Sequence, residues 1–413
     1  MAIFNRADIL LPKDKSFEKW SVIACDQYTS QPEYWEETRD IVGDSDSTLN
    51  LVYPEAWLNE GDARIASINE TMSDYLNREI FEEYKDCYIY VERTLSNGSI
   101  RKGVIGTIDL DEYDYSDDSG SGIRATERTV IERIPPRVKI RKDAVLELPH
   151  IILLCDDKKK MLIEYAKSIK DRLPLLYDFD LMQEGGHIRG WLLEGSDASA
   201  FDEKMTQYLT ETSAKYDAMG KPALYFAVGD GNHSLATAKT CYENIKSSTG
   251  TAEHPARYAL VELENLWDDA QVFEPIHRLL YNLDPQELLE DMAGRICVDD
   301  EHTDDGYPID WYSEGMLGTI YIDRKLGELP VGVIQEYLDD YLKDHEGSID
   351  YIHDESALRS LSAREGSIGF ELPAIAKDSL FVGIVKDGVL PRKTFSMGHS
   401  NEKRYYLEAR KLF

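Results

Sequence analysis

A chain of 413 residues, 42% apolar and 30% charged, is long enough for two or three folded units and too apolar to be disordered throughout. Its formal net charge of −32 argues strongly against a phosphate-backbone binder, whose affinity rests on many Lys and Arg contacts, and disfavours anionic membranes. Five scattered cysteines without a CxxC pair point to neither a zinc cluster nor a disulfide framework, and no apolar run approaches the about 20 residues of a membrane span. The expectation is an acidic, cytoplasmic protein with no nucleic-acid or membrane partner.

In chain order, WSVIAC (20–25) reads as a buried strand, and SQPEYWEETRDIV (30–42) as a helix with Ser30 as N-cap and Glu33 completing a capping box. DARIASINETMSDYLNREIFEEY (62–84) has the period of an amphipathic helix. CYIYVERTL and IRKGVIGTIDL flank SNGS, the pattern of a hairpin closed at Asn-Gly. After the acidic glycine-serine loop DEYDYSDDSGSG, the apolar runs IILLC, GWLL, ALYFAV and YALVEL alternate with helical stretches such as KKKMLIEYAKSIKDRL and ASAFDEKMTQYLTETSAKY. Such alternation predicts an α/β fold of mixed sheets with packed helices. Beyond VDDEHTDDGYPID, the segment SIDYIHDESALRSLSAREGSIGFELP reads strand, helix, strand, a smaller C-terminal α/β module. The predicted division is 1–115, 116–290 and 291–413, with the last residues returning rather than trailing.

The chemistry concentrates at VGDGNHS. A strand that gives way to a helix through a glycine turn aims backbone N–H groups, backed by the helix dipole, at one point, and an anion is the natural occupant. Gly229 and Gly231 allow close approach, while Asn232, His233 and Ser234 offer side-chain donors. Asp230 would repel phosphate, so it is expected to act through Mg²⁺ or as a base toward a hydroxyl. The competing reading is local: Asp230 and Asn232 build the turn and Ser234 caps the helix.

A second concentration is basic. Arg124, Arg128, Arg133, Arg137, Lys139, Arg141 and Lys142 outnumber Glu127 and Glu132 within residues 121–142. They suit either a strongly anionic ligand or salt bridges to the acidic remainder. Arg392 and Lys393 form a third cluster. His187 and Arg189 beside a Gly-Gly turn, Glu274 and His277 in EPIH, and Cys25 next to Asp26 are weaker candidates. No Walker loop, GxGxxG fingerprint, GxSxG elbow or HExxH pair is present.

GDGNHS, with WSVIACDQYTSQPEYW, IRATERT followed by IPPR, LPHIILLCDD, HIRGWLL, EPIHRLL and LPRKTFSMG followed by EKRYYLEAR, resembles the prokaryotic domain-of-unknown-function family 1015 over nearly the whole chain. That family is similar, more distantly, to the ParB/sulfiredoxin superfamily, which includes free-serine kinases. The resemblance implies a ParB/sulfiredoxin-like core. It also implies a ligand turn of Asp230, Gly231, Asn232 and His233, with Glu127, Thr129 and Arg124 contributing, and it points to Asp26, Arg392 and Lys393. Ser234 departs from it, because related turns commonly carry arginine there; Arg124, Arg133 or Arg392 is then expected to supply the charge.

The function expected from residues and resemblance together is a small-molecule kinase or related phosphotransferase. ATP, ADP or pyrophosphate would be the donor, Mg²⁺ would sit at Asp230, and Glu127 or Asp230 would serve the acceptor, free serine being implied by resemblance alone. The alternatives are a non-catalytic nucleotide or phosphate sensor and a metal-dependent phosphoesterase. The latter needs an upstream D-x-H, whereas the Asp300–His302 pair lies downstream.

Overall fold

The computed structural model describes residues 3–117, 119–129, 131, 134–299 and 302–413. The chain divides into two compact units, residues 1–125, 129–271 and 398–413 in the first and 126–128 with 272–397 in the second.

The first unit is built on an eleven-stranded mixed sheet. From one edge its main path runs Leu175–Asp180, His187–Leu193, Phe81–Thr94, Ile100–Asp109, Tyr258–Asn265, Ile152–Cys155, Phe226–Asp230, Ile123–Ala125, Tyr113–Asp114. The predicted hairpin is present: Phe81–Thr94 and Ile100–Asp109 pair antiparallel, with Thr94 opposite Ile100. Alternation along Phe81–Thr94 explains why both faces of the sheet are covered. Cys87, Ile89 and Val91 enter one apolar cluster with Trp20, Trp35 and Trp57; Tyr88 and Tyr90 enter another with Phe4, Phe201 and Phe226. Each large apolar side chain removed from water in this way contributes about 1.5–3 kcal/mol before entropy is charged against it. Helices Gly195–Ala218 and Asn232–Thr249 follow their predicted segments. Among the described residues no helix is long and apolar enough to cross a membrane.

The N-terminal expectations need correction. Only Val22–Ile23 of WSVIAC is strand, after the short helix Phe17–Trp20. Tertiary bonding decides this: the Trp20 indole donates to the Leu407 carbonyl at 2.8 Å, and Val22–Ile23 pairs with Tyr405–Tyr406. The next helix spans Pro32–Val42 with Gln31, not Ser30, at the N-cap and no side-chain cap. Helix Gly61–Asn77 stops earlier than its period suggests, because Phe81 onward joins the ladder to Ala7–Pro12.

The second unit holds a five-stranded antiparallel sheet, ordered Met316–Asp323, Gly306–Ser313, Ser367–Glu371, His277–Tyr281, Ser348–Ile352. The predicted strand, helix, strand of 348–371 is there, with helix Glu355–Ser362 between its strands. Its core includes a fully buried arginine, Arg278, which donates to Gln335 and the Ile276 carbonyl, both at 2.6 Å, and stacks over Tyr351.

Candidate anion-binding turn

The strand Phe226–Asp230 pairs with Ile152–Cys155 and slips register between Val228 and Asp230, so the chain bulges at Gly229 just before the turn. Gly231 follows in the left-handed region at φ 83° and is the N-cap of the eighteen-residue helix Asn232–Thr249. A Cβ at Gly231 would stand 2.0 Å from the His150 carbonyl oxygen, so only glycine lets these two segments meet. The first bond into the helix interior runs from the Leu235 N–H to the Gly231 carbonyl, so the amides of residues 232–234 lie outside the helix ladder.

Asp230 accepts the Gly231 N–H on Oδ1 at 2.8 Å, so part of the turn-building expectation holds. Its Oδ2 is buried without a hydrogen bond, 3.6 Å from Lys403 Nζ. Burial works against the charged form, but Lys403, His150, the Gly231 N–H and Arg101 outweigh it and hold the carboxyl below its usual range. Asn232 Oδ1 is buried and unsatisfied as well. The His233 carbonyl accepts the Thr237 hydroxyl at 2.7 Å. Ser234 does not cap the helix: its hydroxyl lies 3.5 Å from His150 Nδ1. The other ring nitrogen of His150 is 3.4 Å from Asp26 Oδ1.

Sequence reasoning missed Lys403, His150 and Arg101. Lys403 is held in place by its own backbone. Arg93 donates to the carbonyls of Asn401, Glu402 and Lys403, and Arg101 donates to that of Glu402 at 3.0 Å. Both His150 and Lys403 lie in segments noted above only as landmarks, LPHIILL and EKRYYLEAR.

The remaining candidates are placed as follows. Arg124 donates to the carbonyls of Ser121, Pro222 and Ala223. Thr129 belongs to the first unit, with a buried hydroxyl that makes no hydrogen bond. Glu127 belongs to the second unit and binds the backbone N–H groups of Thr394, at 3.0 Å, and of Lys393 and Phe395. Burial raises its pKa in spite of those donors. Lys393 sits at φ 58° in that turn, and Arg392 lies over the Tyr351 ring, its Nε 3.3 Å from the hydroxyl. His277 Nδ1 accepts the Leu372 N–H at 3.1 Å. Arg133 and Asp300 lie outside the described residues. Cys25 is no reactive thiol, because burial pushes it up to about 12.

Beside the turn is a cavity of about 420 Å³, walled by apolar side chains such as Val52, Met72 and Leu260, with His150 and Ser234 in its lining. Among the described residues no group of three or more His, Cys, Asp and Glu side chains could hold a metal ion. A two-metal phosphoesterase centre therefore has no donor set there. A single Mg²⁺ arriving with phosphate oxygens needs only one or two carboxylates, which Asp230 Oδ2 fits.

No curated protein matches the chain. Among solved structures, a free serine kinase in complex with AMP is similar at 12% identity and a TM-score of 0.37, covering 74% of this chain and 90% of that one. A conserved hypothetical protein from Pyrococcus furiosus matches at 12% identity and TM-score 0.34, covering 73% and 90%. SbnI with a C-terminal truncation, from Staphylococcus aureus, matches at 10% identity and TM-score 0.37, covering 71% and 83%. At this level of superposition the alignments say nothing about chemistry. The model of the family described as protein of unknown function DUF1015 matches residues 6–411, and the chain belongs to that family.

Proposed function

We propose that the turn at 229–234 binds the phosphate of a nucleotide or pyrophosphate and that the protein is a small-molecule phosphotransferase. The observation that carries this reading is the buried Asp230 Oδ2, with no hydrogen bond, beside Lys403 at the start of a long helix. Amides at the helix start and the Lys403 ammonium favour phosphate oxygens, and Lys403 supplies the charge that Ser234 lacks. A carboxylate held below its usual range stays ionised, so Asp230 is suited to holding Mg²⁺ or orienting an acceptor hydroxyl rather than to being a strong base. Transfer of this kind needs mostly positioning and charge neutralisation. In the step, the acceptor oxygen bonds to phosphorus as the bond to the donor's bridging oxygen breaks, and the acceptor proton passes to solvent or to the transferred phosphoryl oxygens while Asp230 orients the hydroxyl. Free serine is the acceptor that the family resemblance implies.

The test is a thermal-shift and turnover screen of ATP, ADP and pyrophosphate with Mg²⁺, with and without serine, on the wild type, Asp230→Asn and Lys403→Met. A phosphate ligand raises the melting temperature of the wild type. Lys403→Met loses that rise, and Asp230→Asn lowers turnover by about 100-fold or more. Full turnover and donor affinity in Asp230→Asn would end this reading.

A further inference from the structure

Three side chains beside the turn approach one another in sequence, and two of them, Ser234 and His150, line the cavity. The Ser234 hydroxyl is 3.5 Å from His150 Nδ1, and His150 Nε2 is 3.4 Å from Asp26 Oδ1. A hydroxyl, an imidazole and a carboxylate in that order are the parts of an activated nucleophile: attacking group, base and orienting group. Contacts of this length tighten when substrate arrives, so they are compatible with the role. His150 is 6% exposed and its carbonyl packs against Gly231, while Nε2 makes no hydrogen bond and has Asp26 as its nearby carboxylate. Ser234 is the third residue of its helix, next to the amides that precede the first bond of the ladder, where a developing oxyanion is stabilised.

The cavity indicates what would be attacked. At about 420 Å³ it falls within the range of small-molecule sites, about 300–1,000 Å³. Its charged lining residues are already paired, Glu55 with Arg137 and Glu147 with Arg141, and the Tyr406 hydroxyl donates to Cys25 Sγ at 3.1 Å. A free amino acid would ask for an uncompensated anion and cation, which these pairs do not offer. An apolar chain asks for neither. The polar lining residues that remain include His150 and Ser234, beside which the reacting group of such a chain would lie.

We propose that Ser234, His150 and Asp26 form a nucleophilic site that hydrolyses carboxylic esters with an apolar acyl chain, which the cavity holds. This goes beyond the phosphate reading, which rests on Asp230 and Lys403. Ser234 Oγ bonds to the acyl carbon while its proton passes to His150 Nδ1; the carbon–oxygen bond to the alcohol breaks, and the alcohol leaves with that proton. Water then attacks the acyl carbon, the bond from that carbon to Ser234 Oγ breaks, the water's proton passes through His150 to Ser234 Oγ, and the free acid departs. Nδ1 must be unprotonated to begin, so Nε2 carries the hydrogen toward Asp26, which makes Asp26 a positioning residue.

The test uses the full chain with p-nitrophenyl acetate, butyrate and octanoate and a fluorophosphonate probe read by peptide mass spectrometry. The wild type hydrolyses the esters and carries the probe on Ser234. Ser234→Ala, a small change on a partly exposed helix start, keeps its melting temperature and loses at least about 100-fold in rate and all labelling. Asp26→Asn lowers kcat with little change in KM and moves the pH–rate profile, a readout that loss of packing alone would not give. Ala144→Leu, which narrows the cavity, depresses octanoate turnover more than acetate turnover. No label, a label on another residue, or a wild-type rate in Ser234→Ala overturns the proposal. Failure of the phosphate screen leaves each of these outcomes intact.

Discussion

Two regions of the first unit concentrate polar side chains and are built in opposite ways. In the basic segment five described cations have partners: Arg124 in three carbonyls, Arg137 in Glu55, Lys139 in Asp62, Arg141 in Glu147, and Lys142 in Asp143 at 3.6 Å. Around the glycine turn the polar atoms are fewer, yet Asp230 Oδ2, Asn232 Oδ1 and His150 Nε2 are buried without a hydrogen bond. A buried polar atom left unsatisfied costs about 1–3 kcal/mol unless water, an ion or a ligand completes it. The density of charge in the sequence is therefore a poor guide to where a ligand goes; unused hydrogen-bonding capacity is the better one.

The largest effect expected from breaking this contrast is at Gly231. Gly231→Ala must hold an L-residue at φ 83° and place a methyl 2.0 Å from the His150 carbonyl, which is backbone and cannot swing aside. The left-handed conformation costs about 1–2 kcal/mol and the overpacking about 1–3 kcal/mol. Urea unfolding should show a loss of roughly 2–5 kcal/mol on those two grounds. A loss below about 0.5 kcal/mol, inside the usual scatter of surface substitutions, would mean that the turn is not pinned to His150.

A smaller effect is expected from the ionic layer beneath the returning C-terminal segment. Arg101 Nε lies 3.1 Å from Glu264 Oε1, and Gln271 donates to Oε2. Burial foremost, with the charge of Glu262 added, raises the Glu264 carboxyl to about 8 against the pull of Arg101. The folded state then holds a proton that the unfolded chain releases near about pH 4.3. The stability this group contributes is complete below that value and is lost as pH rises toward about 8, by at most about 1.4 kcal/mol per pH unit. Glu264→Gln cannot release a proton, so its urea midpoint should fall less steeply than the wild type's over that window. Parallel slopes would show the carboxylate ionised throughout by Arg101.

Local pattern made much of the fold legible. The hairpin from Cys87 on was carried by alternation around Asn-Gly, the helix Gly195–Ala218 by its period, and the strand, helix, strand of 348–371 by switches between the two. WSVIAC misled because its pattern is that of a strand while a distant indole bond and a late-arriving partner strand fix its conformation. In the site, the glycine spacing exposed the turn, since positive φ and close approach leave a mark in composition. His150 and Lys403 left none. They reach Asp230 through tertiary pairing, and the guanidinium groups of Arg93 and Arg101 that organise this look, in sequence, like any other charge.

The smallest expected effect is the sharpest test of the contrast. If the cations of 122–142 serve salt bridges rather than a ligand, then removing two exposed ones, Lys139 and Lys142, should leave both stability and ligand response almost unchanged. Exposed pairs of this kind are worth about 0–1 kcal/mol, because solvent screens them and two long side chains must be ordered to make them. The double variant Lys139→Ala, Lys142→Ala should therefore melt close to the wild type and keep its thermal shift with pyrophosphate, whereas Lys403→Met alone abolishes that shift. The opposite ranking would return the anion site to the basic segment. Lys403 would then be a structural partner of Asp230, and the unsatisfied atoms at the turn would need an occupant of another chemistry.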